Sequence, residues 1–312
     1  MINIWKNSEN GLTRSAILEK GCWIEVTNPN ELEKTTLREE YKIPEDLILD
    51  IMDEDERPRI ERFDESVCLI TRVPVFDKTR EVSYFTLPLG IIKTNSIIIT
   101  ICAQVVPSIS DFTTAPGRII DISNPASFVI QVLMRAMHYY LSFLKTINRQ
   151  TGMIENELQQ SVRNTELIGL LRLEKSLVFF TTSLRGNELL LEKFERFIFP
   201  GLKEKQLEDL EDLRTENRQA IEMTNIYSNI LSGMMDAYAS VISNNLNVVM
   251  KRLTLISIVL MIPTFVASLY GMNLSFLPFQ NSRWAFFAIL GLSAAMSVIG
   301  GFIISRTRRF KT

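Results

Sequence analysis

Two stretches near the C-terminus constrain this chain more than anything else in it. Residues 253–270, LTLISIVLMIPTFVASLY, and 284–304, WAFFAILGLSAAMSVIGGFII, are 18 and 21 residues long and hold no charged side chain. Crossing about 30 Å of hydrocarbon as a helix takes roughly 20 apolar residues, so both qualify as spans. Lys251 and Arg252 precede the first, Arg306, Arg308, Arg309 and Lys311 follow the second, and Arg283 lies between them. Cationic flanks mark cytoplasmic ends. The pattern predicts a multi-pass protein of the cell membrane with both termini in the cytoplasm and Tyr270 and Trp284 at the outer interface.

The charge balance agrees. The formal net charge is −2, and subtracting the +7 of residues 251–312, which contain no acid, leaves −9 on the first 250 residues. An acidic body with an apolar, basic-edged tail disfavours nucleic acid as a partner and favours membrane lipid. Cys22, Cys68 and Cys102 are too scattered for a disulfide framework or a thiolate metal site. His138, the single histidine, reads as an ordinary helix-face residue. The start MINIWKNSEN has no apolar core of a signal peptide, so the body is expected to stay in the cytoplasm.

Along the chain, β-branched runs at 22–27, 66–76, 83–92 and 96–106 predict strands, and IPEDLILDIMD (43–53) predicts a helix led by Pro44. The fold class is therefore an α/β cytoplasmic domain (1–122) followed by a long antiparallel helix pair (123–202), with its break near RNTE (163–166) or RGNE (185–188). A cytoplasmic stalk helix (203–252), a first transmembrane helix (253–271), an external loop (272–283), a second transmembrane helix (284–305) and a basic tail (306–312) complete the organisation. A continuous helix from Lys205 to Tyr270 would be roughly 100 Å long.

On that helix Asn247, Met250, Leu253, Ser257, Met261, Thr264 and Ser268 recur at spacings of three or four and share a face. Polar residues in a span serve helix packing or line a water-filled lumen built from several copies, where apolar bands gate by dewetting. Pro263 adds a local kink.

The stretch VASLYGMNLSF (266–276) then carries a signature. YGMN (270–273) closing the first of two C-terminal spans, together with SNNLNVVMKRLTL (243–255), MIPTFVASLYGMN (261–273) and ERPRIERFDESVCLI (56–70), resembles the CorA family of magnesium transporters. The resemblance implies a homopentamer with a cytoplasmic αβα funnel, stalk helices and an inner ring of first spans. It places Tyr270, Gly271, Met272 and Asn273 at the outer mouth as a selectivity ring. The stripe from Asn247 to Ser268 takes the pore-lining positions, and Lys251, Arg252, Arg306, Arg308, Arg309 and Lys311 take the neck. It implies regulatory Mg²⁺ between subunits at Asp77 with Asp212, or Asp209; the run 53–56 is a further acidic stretch. Some members carry acids after the motif, whereas LSFLPFQNSR (274–283) has none and ends in Arg283. Met272 favours magnesium over the zinc-transporting members.

Mg²⁺ dehydrates reluctantly. A ring of Asn273 amides and Gly271 carbonyls can accept hydrogen bonds from its coordinated waters without stripping them. The expected function is passive influx of hydrated Mg²⁺, gated by cytoplasmic Mg²⁺. The alternative is a Co²⁺, Ni²⁺ or Zn²⁺ transporter of the same fold, with or without proton coupling, although neither span contains Asp, Glu or His. A non-conducting membrane scaffold is the third reading. An enzyme is not expected: the chain has no P-loop, no Gly-x-Ser-x-Gly and no zincin motif.

Overall fold

The computed structural model describes residues 1–8, 11–114, 120–160, 164–197, 199–272 and 284–307. They form two compact units, Met1–Met235 and Asp236–Thr312.

The first unit is built on a seven-stranded sheet. Its strands are β1 (Ile2–Ser8), β2 (Gly11–Ser15), β3 (Trp23–Thr27), β4 (Arg59–Phe63), β5 (Ser66–Phe76), β6 (Tyr84–Lys93) and β7 (Ile98–Cys102). Their order is β2-β1-β3-β7-β6-β5-β4, antiparallel throughout except for the parallel pair β3 and β7. The central strands read as near-continuous apolar runs because both faces of the sheet are covered.

On one face lie α1 (Glu31–Glu39) and α2 (Glu45–Met52). Ile24, Val26, Ile70, Ile92, Ile99 and Ile101 from the strands meet Leu37, Leu47, Ile48 and Ile51 in one buried cluster. Gly90 of β6 is required there, since a Cβ would collide with the Ile51 side chain. Asn30 starts α1 with a capping box, its side chain accepting from Glu33 N while Glu33 reaches back to the Asn30 backbone. On the other face lie α4 (Pro125–Gln160) and α5 (Asn164–Phe197), after the short α3 (Pro107–Thr114). Trp23, fully buried, meets Phe128 of α4 edge-on at 5.2 Å and donates from Nε1 to Thr100 Oγ1 at 2.9 Å. The result is an αβα sandwich.

The break in the helix pair falls between Gln160 and Asn164, and RGNE lies inside α5. Gly186 serves packing there: a Cβ would sit 2.7 Å from Pro58 Cγ, so the glycine lets α5 approach the chain entering β4.

Asn187, the next residue, replaces a strand. β4 begins only at Arg59, opposite Ile70 of β5, and its ladder reaches no further along β5. Two residues on, the Arg72 N–H donates to Asn187 Oδ1 at 3.0 Å and Asn187 Nδ2 donates to Arg72 O at 2.8 Å. Thr71 Oγ1 donates to the same Oδ1 at 2.9 Å, and the Tyr140 hydroxyl to Arg72 O at 3.0 Å. The side-chain amide thus continues the ladder where β4 stops. Asn187→Leu, of similar size, should cost about 2–4 kcal/mol by leaving these buried groups unpaired. Urea unfolding of the whole chain followed by circular dichroism measures it, and an unchanged midpoint would contradict this role.

The last long helix, α6, runs from Glu204 to Tyr270, 67 residues. Within the first unit it buries Leu210, Leu213, Asn217, Ala220, Ile221, Thr224 and Leu231. Gln206 Nε2 donates to Asn124 Oδ1 and Ser127 Oγ at the start of α4, both at 3.0 Å. Arg214 Nη2 and Asn217 Nδ2 donate to the α5 carbonyls of Leu191 and Leu184.

The second unit comprises the rest of α6 and α7 (Ala285–Thr307). Among the described residues α6 is the one helix long and apolar enough to cross a membrane. The described apolar stretch of α7, Phe286–Phe302, is shorter than the 284–304 span read from sequence.

Candidate functional site

From Asp236 onward α6 is mostly exposed in the single chain. The exceptions between Leu253 and Tyr270 are Leu255, Val259, Ile262, Pro263, Val266 and Tyr270. At about 100° per residue these six fall on one side of the helix. That side meets α7: a Cβ on Gly300 would lie 3.2 Å from Ile262 Cδ1, and one on Gly301 would lie 3.7 Å from Val259 Cγ2. Asn247, Met250, Leu253, Ser257, Met261, Thr264 and Ser268 are all exposed. They are centred on the opposite side of α6, away from α7.

Three hydroxyls on that face share one geometry. Ser257 donates to Leu253 O at 2.9 Å, Thr264 to Leu260 O at 3.0 Å, and Thr254 to Met250 O at 2.9 Å. Each therefore spends its proton on the carbonyl one turn back and turns oxygen lone pairs outward as acceptors. Acceptors are what the waters around a divalent cation require, because those waters are donors. Thr254 was not among the residues read from the sequence. Its place is visible in the spacing of seven from Asn247 and to Met261.

At the C-terminal end of the helix, Tyr270 is the last residue of α6. Gly271 N donates to Ala267 O at 2.9 Å and Met272 N to Leu269 O at 3.4 Å, tightening the last turn. A Cβ on Gly271 would lie 3.3 Å from Ala267 O, a close approach that favours glycine. Asn273 and the loop to Arg283 lie outside the described residues, as do Arg308, Arg309 and Lys311. Lys251 and Arg252 are exposed on α6, and Arg306 is in the last turns of α7.

The three regulatory candidates occupy different places in the first unit. Asp77 follows β5, and its Oδ1 accepts from Thr79 N at 2.8 Å and Thr79 Oγ1 at 2.7 Å. Those bonds hold its carboxyl below the usual range. Asp209 lines a cavity of about 570 Å³ with Arg135, His138 and Lys205. Asp212 is exposed one turn before Glu216. Burial raises the Glu216 carboxyl, His138 opposes that shift, and Asp212 adds to it. Glu216 was missed in the sequence; its i, i+4 spacing from Asp212 was the available signal. Among the described residues of the single chain, no three His, Cys, Asp or Glu side chains converge to hold a metal.

Comparison with known proteins places this architecture. The chain is 26% identical over 289 residues to the cobalt/magnesium transport protein CorA of Methanocaldococcus jannaschii, covering 91% of this chain and 90% of that one. It is 24% identical over 285 residues to the protein of the same name from Thermotoga maritima, covering 89% and 80%. The complete structure of the M. jannaschii CorA magnesium transporter superposes with a TM-score of 0.79 over 98% of both chains at 24% identity, a likeness of fold. Residues 19–306 match the family model described as CorA-like Mg²⁺ transporter protein, and the chain belongs to that family of membrane ion transporters, which are not enzymes.

Proposed function

We propose that this chain forms a passive Mg²⁺ influx channel that admits the ion with its waters and is closed by cytoplasmic Mg²⁺. The observation that carries the reading is the division of α6 into two faces. One packs on α7, and the opposite one presents hydroxyl acceptors at Thr254, Ser257 and Thr264 between the apolar side chains of Met250, Leu253 and Met261. Such a face lines a lumen only when several copies share it. The exposure of Val241, Ile242, Leu246 and Val249 below it supports self-association. The pathway is a homopentamer in which α6 forms the inner ring, α7 faces membrane lipid, and Gly271, Met272 and Asn273 form the outer mouth. Both termini are cytoplasmic, with Lys251, Arg252, Arg306, Arg308, Arg309 and Lys311 around the neck. The membrane potential supplies the drive, roughly 4.6 kcal/mol for a doubly charged ion per 100 mV.

Co²⁺, also named for the curated relatives, is a second cargo on this reading, since its hydrated ion presents the same donors. The test is ion entry into proteoliposomes held inside-negative. Mg²⁺ and Co²⁺ entry without ATP or a proton gradient is expected; entry that requires a proton gradient would overturn the passive mechanism.

For regulation, Asp77 and Asp212 of neighbouring copies share a Mg²⁺ that holds the closed state. Asp77→Asn retains an acceptor for Thr79 and removes only charge. With Asp212→Asn it should raise severalfold the Mg²⁺ needed to protect the oligomer from limited proteolysis. Unchanged protection would assign Asp77 to its turn alone.

A further inference from the structure

Pro263 lies inside α6. Lacking an N–H, it cannot donate to the carbonyl four residues back, that of Val259. In hydrocarbon a carbonyl without a donor is costly, and a neighbouring helix often meets the need. Val259 is on the face that packs against α7, and Ser297 of α7 is beside it. The Ser297 Oγ lies 3.4 Å from Val259 O and 2.9 Å from Ser293 O of its own helix. One hydroxyl proton therefore faces two acceptors on two helices. The approach is close because Gly300 and Gly301, the next residues of α7 toward this contact, carry no Cβ against Ile262 and Val259.

We propose that Ser297 is a positioning residue for the pore helix, its hydroxyl serving Val259 O in place of the donor that Pro263 lacks. This rests on the reading of α6 as the pore-lining helix. Pro263 sits between Met261 and Thr264, two members of the exposed face, so the local course of α6 at that point sets where both side chains stand. A proton shared between Ser293 O and Val259 O couples that stretch of α6 to α7. Without the hydroxyl, the helix relaxes around an unpaired carbonyl and takes Met261 and Thr264 out of alignment. Sequence spacing shows Pro263 and its vacancy, but not which residue of α7 answers it.

The experiment is a double-mutant cycle on the full-length oligomer. Mg²⁺ entry into proteoliposomes and the thermal midpoint in detergent are measured for the wild type, Ser297→Ala, Ser297→Thr, Pro263→Ala and the double variant Pro263→Ala/Ser297→Ala. Interhelical hydroxyl bonds in membranes have modest strength, so Ser297→Ala should lower entry about three- to ten-fold. Ser297→Thr, which keeps the hydroxyl, should restore it. Alanine at 263 supplies its own N–H to Val259 O, so adding Ser297→Ala to that background should change nothing further. An equal loss from Ser297→Ala in both backgrounds would make Ser297 a packing residue and overturn the proposal, as would no loss in either. If the wild type passes neither Mg²⁺ nor Co²⁺, the transport reading fails. The same cycle in thermal midpoint then still decides whether Ser297 answers Pro263.

Discussion

Replacing Asn273 with alanine should lower Mg²⁺ entry about ten- to a hundred-fold and abolish the preference for Mg²⁺ over Ca²⁺, while the oligomer stays intact. The magnitude follows from the chemistry. A hydrogen bond between a neutral amide and the polarised water of a dication is charge-assisted and contributes about 1.5–3 kcal/mol, and each 1.4 kcal/mol is tenfold in rate. The amide accepts from coordinated water without competing for the metal. Asn273→Asp should differ in kind: a ring of carboxylates binds the ion more tightly and releases it more slowly, so entry saturates at lower Mg²⁺ and reaches a lower maximum. Equal entry for wild type and Asn273→Ala would place selectivity deeper, along Thr254, Ser257 and Thr264.

Leu253→Asn should have the opposite sign. Leu253 is 57% exposed in the single chain, next to Met250 at 53%, on the face opposite α7. In a ring these side chains make an apolar constriction that water leaves. Exchanging one leucine for an amide removes about 2 kcal/mol of apolar character per copy. Even one such contribution corresponds to roughly a thirtyfold change, so entry should rise tenfold or more and lose much of its inhibition by internal Mg²⁺. Unchanged entry would mean that Leu253 faces lipid or a neighbouring helix.

What could be read from the sequence depended on how each element is stabilised. β5 and β6 announce themselves because they are buried on both faces and carry long β-branched runs. β1, β2 and β4 went unread: they lie toward the sheet edges, are half exposed and mix polar with apolar residues, as in RIERF. RGNE looked like a turn because glycine next to asparagine usually is one. Inside α5 the glycine makes room for Pro58 and the asparagine completes a strand ladder, both set by residues more than a hundred positions away. The α6 face was legible because helical periodicity is local. The pairing of Glu216 with His138, unlike its spacing from Asp212, and that of Ser297 with Val259 were not, because each joins two helices at a distance no spacing rule encodes.

The central claim is that the face of α6 opposite α7 borders water. The chain suits a direct measurement, because its native thiols at Cys22, Cys68 and Cys102 are all buried. Burial also raises the Cys68 thiol and pushes Cys102 up to about 11, keeping both as unreactive thiols. Single cysteines are placed at Ser257, Met261 and Thr264 on one face and at Leu255, Val259 and Ile262 on the other. Each reconstituted variant is treated with a membrane-impermeant thiol reagent while Mg²⁺ entry is followed. Modification and block at the first three positions, with none at the second three, is the predicted result. Reaction at Leu255, Val259 and Ile262 in preference to the others would contradict the account.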